Sequence, residues 1–158
     1  MIFTLATYTA IHVVISLMGI ASGLMAVLGL IVGKQFKGWT EIFLVTTIAT
    51  SVTGFGFPFD HLLPSHIVGC ISLVVLAVAL YALYGRRLAG AWRRIYVITA
   101  VIALYLNVFV LVVQAFRRVP ALYALAPTQT EMPFLLMQFL VLDVFITLGV
   151  LAAIKFRG

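Results

Sequence analysis

The chain has 158 residues, 65% of them hydrophobic and only 9% charged, with a mean hydropathy of +1.25. A water-soluble domain needs about a quarter of its residues charged, so the composition excludes one and makes lipid the solvent. The formal charge of +6 falls in short basic clusters between apolar runs, which marks membrane orientation rather than the basic face of a nucleic-acid-binding domain.

The first apolar segment runs from Thr7 to Val32. The preceding stretch MIFTLATYTA carries no Lys or Arg and the run is too long for a signal-peptide core, so it reads as a helix of the mature protein. His12, Ser16, Gly19, Gly23 and Ala26 recur at spacings of four and three, one stripe of polar and small side chains facing a bundle. Gly19 and Gly23, and likewise Gly29 and Gly33, form GxxxG pairs that suit helix packing.

The second segment, Thr40 to Phe57, holds many hydroxyls and is the least apolar. Its hydroxyls can bond back to their own carbonyls, so it still spans if packed inside a bundle; a re-entrant segment is the alternative. The stretch TGFGFPFDHLLPSH then joins it to the third segment, Ser65 to Tyr84, and brings Asp60, His61 and His66 together. The third segment also carries Cys70, the chain's one cysteine, which excludes an internal disulfide. A fourth segment covers Ile95 to Phe116 and a fifth Phe134 to Ile154, separated by a loop over 117–133 in which ALYAL between two prolines suits a short interfacial helix or, alternatively, a lid over the bundle mouth. Every segment has roughly the 17 to 25 residues needed to cross about 30 Å of hydrocarbon.

Five spans place Lys34, Lys37, Arg86, Arg87, Arg93, Arg94, Lys155 and Arg157 on one side and only Arg117 and Arg118 on the other. That asymmetry predicts an all-α integral membrane protein, one domain over 1–158, with the N-terminus outside and the C-terminus cytoplasmic. Trp39, Trp92, Tyr84 and Tyr96 then gather at the cytoplasmic boundary.

Counting from the basic anchors gives depth. His12 lies 22 residues before Lys34 and His66 lies 20 before Arg86, about 33 and 30 Å along a helix, so both reach the outer edge of the hydrocarbon. With His61 and Asp60 above them they form a candidate ligand or metal set. Two imidazoles from facing helices suit haem b, and three or four N and O ligands suit a transition metal. A quinone headgroup also fits that level. The bland alternative is a wet turn held by Asp60 and the prolines.

A second, deeper layer joins Asp143, Asn107, Ser22, Thr53 and Ser72 about 18 to 20 Å from the cytoplasmic edge. A carboxyl there must find a partner or stay neutral, and Asn107 is the expected partner. No GxSxG, HExxH or Walker loop occurs, which leaves hydrolysis and nucleotide chemistry without support.

The stretches HIVGCISLVVLAVALYALYGRRLAGAWRRIYVITAVIALYLNVFVLVVQAF and VPALYALAPTQTEMPF resemble small multi-spanning membrane proteins of proteobacteria, a group with no settled activity. The resemblance implies a bacterial inner membrane and carries over no functional residues. Three classes of function are therefore expected: ligand binding or redox work at the outer histidines, an accessory subunit of a larger membrane complex, or an oligomeric transporter or proton path around Asp143.

Overall fold

A computed structural model describes residues 4–57 and 64–157, with Pro64 and Ser65 in their backbone only. The described residues form helices and no strand: α1 Leu5–Ile31, α2 Lys37–Gly54, α3 Pro64–Leu80 continued by a π-helical turn Tyr81–Gly85, α4 Trp92–Arg118, α5 Pro120–Leu125 and α6 Met132–Lys155. Four stretches among them are long and apolar enough to cross a membrane, namely α1, His66–Gly85, α4 and α6. The 18-residue α2, with Lys37 and Glu41 in its first turns, is not among them.

Local chemistry sets the helix ends. The Thr4 hydroxyl accepts from the Thr7 N–H at 3.2 Å and starts α1 ahead of its apolar run. The other end closes as a Schellman turn: the Lys34 N–H donates to the Gly29 carbonyl at 2.8 Å and the Gly33 N–H to the Leu30 carbonyl at 3.0 Å. Gly33 sits past the helix at φ +78°, a left-handed conformation that glycine adopts without penalty. The spacing of Gly29 and Gly33 suits a helix-packing pair; Gly29 meets the Phe36 ring, a Cβ there standing 2.9 Å from Phe36 Cδ2, while Gly33 ends α1. Pro120 at its first turn begins the short α5, as the loop composition predicted. The carboxylate of Glu131 accepts from the Thr128 hydroxyl at 2.7 Å and from the Thr128 and Thr130 N–H groups, bonds that hold it below the ordinary carboxylate range and fix the turn ahead of α6.

Packing arranges α1, α2, α3 and α4 in a ring, each against its chain neighbour and α4 back against α1, with α6 outside against α4 and α1. Cross-chain contacts fix the directions. Tyr8 and His12 at the start of α1 meet Thr53 at the end of α2, and Phe36, just ahead of α2, packs over Gly29. Thus α2 runs the height of α1 in the opposite sense.

The core lies where Gly23 lets α1 approach: a Cβ there would stand 2.7 Å from Leu104 Cδ1 and 2.8 Å from Phe43 Cδ1. Phe43 and Leu104 are wholly buried. With lipid tails as apolar as the helices, such close van der Waals fit carries association. The same glycine, with Gly19, is the packing pair expected from GxxxG.

One end of the bundle collects the loops 32–36 and 86–91 and the tail after α6, and with them eight of the ten Lys and Arg residues. There Arg86 lies over the Trp92 ring at 5.6 Å, Tyr81 meets Trp92 edge to face, and Arg93 donates to the Arg157 carbonyl. Trp39, Tyr84 and Trp92 keep some exposure at this end. Tyr96, one turn into α4 at the same end, is buried against Thr40. At the opposite end Ala126 tucks beneath Phe116 and Phe134 and ties α5 to α4 and α6.

Candidate functional site

Inside the ring, toward the end where α2 meets α3, lies a cavity of about 90 Å³. Ser16 from α1, Thr47, Thr50 and Ser51 from α2, His66 and Ser72 from α3, and Asn107 from α4 supply its polar lining. Apolar wall is added by Phe55, Val68, Leu106 and Val110. These seven polar groups come from four helices because each helix turns its few polar side chains inward, away from lipid.

The geometry is specific. The Ser16 hydroxyl donates to Asn107 Oδ1 at 2.9 Å, and Asn107 Nδ2 returns a long bond of 3.5 Å to the Ser16 carbonyl. The Ser51 hydroxyl reaches both the Thr47 carbonyl at 3.0 Å and the Ser72 hydroxyl at 3.1 Å. Gly19 opens this level, since a Cβ on it would crowd Asn107 Nδ2 at 3.1 Å and Thr47 Oγ1 at 3.2 Å. Thr47 is 1% exposed, and its hydroxyl has no hydrogen-bond partner among the described residues. Gln138 Oε1 on α6 is the other such atom, away from the cavity.

The two histidines part company. His12 Nδ1 bonds Thr53 Oγ1 at 2.7 Å on the α1 side of α2, with Phe57 edge-on at 5.1 Å between ring centres. His66, 4% exposed, packs against Phe55 at 5.5 Å on the α3 side and lines the cavity, which His12 does not. Both stand near the end of α2 but flank it on two sides. Asp60 and His61 lie outside the described residues. Among the described residues no three His, Cys, Asp or Glu side chains group as a metal site. A cavity of about 90 Å³, which His12 does not line, is far too small for a porphyrin between the two imidazoles, so the described residues do not fit the haem expectation; the metal set includes Asp60 and His61 and so lies partly outside them.

The deeper layer is divided as well. Asn107 and Ser72 line the cavity, while Ser22, buried, returns its hydroxyl to its own helix at Met18. Thr53 belongs to the His12 contact. Asp143 does not join them: it lies on the exposed side of α6, and the expected Asn107 partner is bonded to Ser16 instead. Sequence reasoning missed Thr47 and Ser51 as lining groups; their signal was the hydroxyl run of α2, which spacing alone could not assign to a face.

The fold and site define a class: a bundle of apolar helices around a small, mostly apolar cavity that carries hydroxyl, amide and imidazole groups. No protein-family model, curated protein or solved structure matches the chain.

Proposed function

We propose that this protein binds one small neutral polar molecule, or the headgroup of a lipophilic one, in the cavity among α1 to α4. The observation that carries the reading is the Thr47 hydroxyl, buried at the cavity with no partner among the described residues. Leaving such a group unsatisfied costs about 1 to 3 kcal/mol, a penalty a ligand acceptor removes. Asn107 Nδ2 adds a second donor, because one of its two N–H groups is spent on a 3.5 Å contact and the other has no partner among the described residues.

Among the described residues no Asp, Glu, Lys or Arg lines the cavity, which suits an uncharged ligand. Of the classes the outer level suggests, a quinone headgroup suits best: its carbonyl oxygens accept from Thr47 and Asn107, and its flat ring packs beside Phe55 and the apolar wall.

The reading places the chain in a bacterial inner membrane with five crossings, the N-terminus outside and the C-terminus cytoplasmic. The basic residues gathered at one end support that orientation, and α2 standing alongside the whole of α1 supports its crossing as well. An accessory role through helix contacts and a transport path around Asp143 find less support, the latter because Asp143 lies apart from the polar interior.

The test is titration of the protein in nanodiscs with a short-chain benzoquinone, alongside native mass spectrometry for a co-purified lipophilic molecule. Saturable binding at one per chain is expected, weakened roughly three- to tenfold in Thr47→Val. Absence of both signals, or binding indifferent to Thr47→Val and Asn107→Leu, overturns the proposal.

A further inference from the structure

Of the four stretches able to cross a membrane, α6 buries the least of its apolar window, 11% against 28% to 39% for the others. Its inward seam is Phe134, Gln138, Val141, Phe145, Leu148 and Ala152, all buried or half-buried against the bundle. Two residues further along runs a second seam: Leu136, Leu140, Asp143, Thr147, Val150 and Ile154. At 100° per residue it lies about 200° around the helix from the first, on the opposite face. Leu136, Leu140, Val150 and Ile154 are 52% to 60% exposed, and Asp143 and Thr147 are exposed with them.

Three features of the outer seam go together. Its spacing of four, three, four, three and four keeps one stripe in line with a neighbouring helix, the repeat of left-handed helix pairs in water and in membranes. Asp143 stands eleven residues after Met132 and twelve before Lys155, about 17 Å from either end and so at mid-membrane depth. Its carboxyl has no hydrogen-bond partner among the described residues; only its backbone carbonyl is engaged, by the Thr147 hydroxyl at 3.0 Å. Hydrocarbon satisfies none of that carboxyl's hydrogen-bonding capacity.

We infer that α6 is the surface through which two copies of this chain pair in the membrane, with Asp143 meeting Asp143 at the centre of the seam. Copies inserted in the same direction carry Asp143 at the same depth, so a two-fold axis along the membrane normal sets one carboxyl against the other without further adjustment. A neutral carboxyl holds both a donor and an acceptor and is therefore complementary to itself. A single polar residue at a seam position fixes register and partner number in paired helices. This pairing lies outside the α1 to α4 ring and stands whether or not the cavity holds a ligand.

Cysteines placed one at a time along α6 of the full chain, in a Cys70→Ser background and in native membranes, test it. Leu140→Cys, Thr147→Cys and Val150→Cys are expected to cross-link to a second copy. Met137→Cys and Val144→Cys, exposed but about a quarter to a third of a turn away, are expected not to. In bilayers, Asp143→Leu should weaken self-association about three- to tenfold, as for loss of an interhelical hydrogen bond, while Asp143→Asn, which also donates and accepts, should retain it. Both variants lie on the exposed face and leave the bundle intact. A monomer by single-molecule photobleaching, cross-linking without the seam periodicity, or seam cross-links to a different protein would each overturn the inference.

Discussion

At Gly23 a single added carbon would press on Leu104 at 2.7 Å and on the Phe43 ring at 2.8 and 2.9 Å, side chains that are themselves closed in on every side. Gly23→Val is therefore expected to lower stability by about 1 to 3 kcal/mol through overpacking. Gly33, in the same kind of sequence spacing, meets only the Lys155 carbonyl at 3.6 Å and is held by its φ of +78°. Gly33→Asn, which tolerates the left-handed region, should stay close to the parent. Unfolding in mixed micelles distinguishes them; equal losses would show that both glycines act through packing. Gly23 and Gly33, each the second glycine of a pair with the same spacing, separate here because a helix-packing glycine and a helix-ending glycine differ only in what stands beside them. At Asn107 the limit was similar: depth put it near Asp143, but depth says nothing of direction, and α1 offered Ser16.

At the scale of the element, α2 shows how a hydroxyl-rich helix remains in a bundle of apolar ones. The hydroxyls of Thr46, Thr50, Ser51 and Thr53 donate to carbonyls four residues back, at Ile42, Thr46, Thr47 and Ala49, so their polarity is spent within the helix. Thr46→Val, which removes a hydroxyl satisfied only by its own helix, should change stability by less than about 0.5 kcal/mol. Thr53→Val also removes the His12 contact and should cost about 1 kcal/mol. Thermal unfolding of the two in one detergent checks the difference, and a larger loss from Thr46→Val would sink the account. The hydroxyl content was plain in the sequence, and so was its means of satisfaction. In α6 the sequence was silent for the opposite reason: apolar side chains surround the helix, so nothing in their pattern said which side Asp143 would take.

Across the whole molecule, the placement of charge is the most economical signal. Helices running alternately up and down bring Lys34, Lys37, the four arginines of 86–94, Lys155 and Arg157 to one end. Replacing Arg86, Arg87, Arg93 and Arg94 by Gln leaves four basic residues against two. The expected result is a mixed population in which an engineered cysteine near Arg118 becomes reactive from both sides of the membrane, whereas in the parent it labels from outside only. Labelling of the parent from the cytoplasm would reverse the orientation proposed for the chain.

What the sequence determined by itself was the apolar solvent and the approximate positions of the helices, because hydropathy and a rise of 1.5 Å per residue are properties of one segment at a time. Only the tertiary structure decided which polar groups meet. His12 and His66 stand on two sides of α2, Thr47 and Ser51 join Asn107 around a cavity, and Asp143 faces outward. The physical reason is rotational: in lipid a helix with apolar residues on every side has no solvent preference to orient it, so its facing is set by the close fit of neighbours such as Gly23 against Phe43 and Leu104.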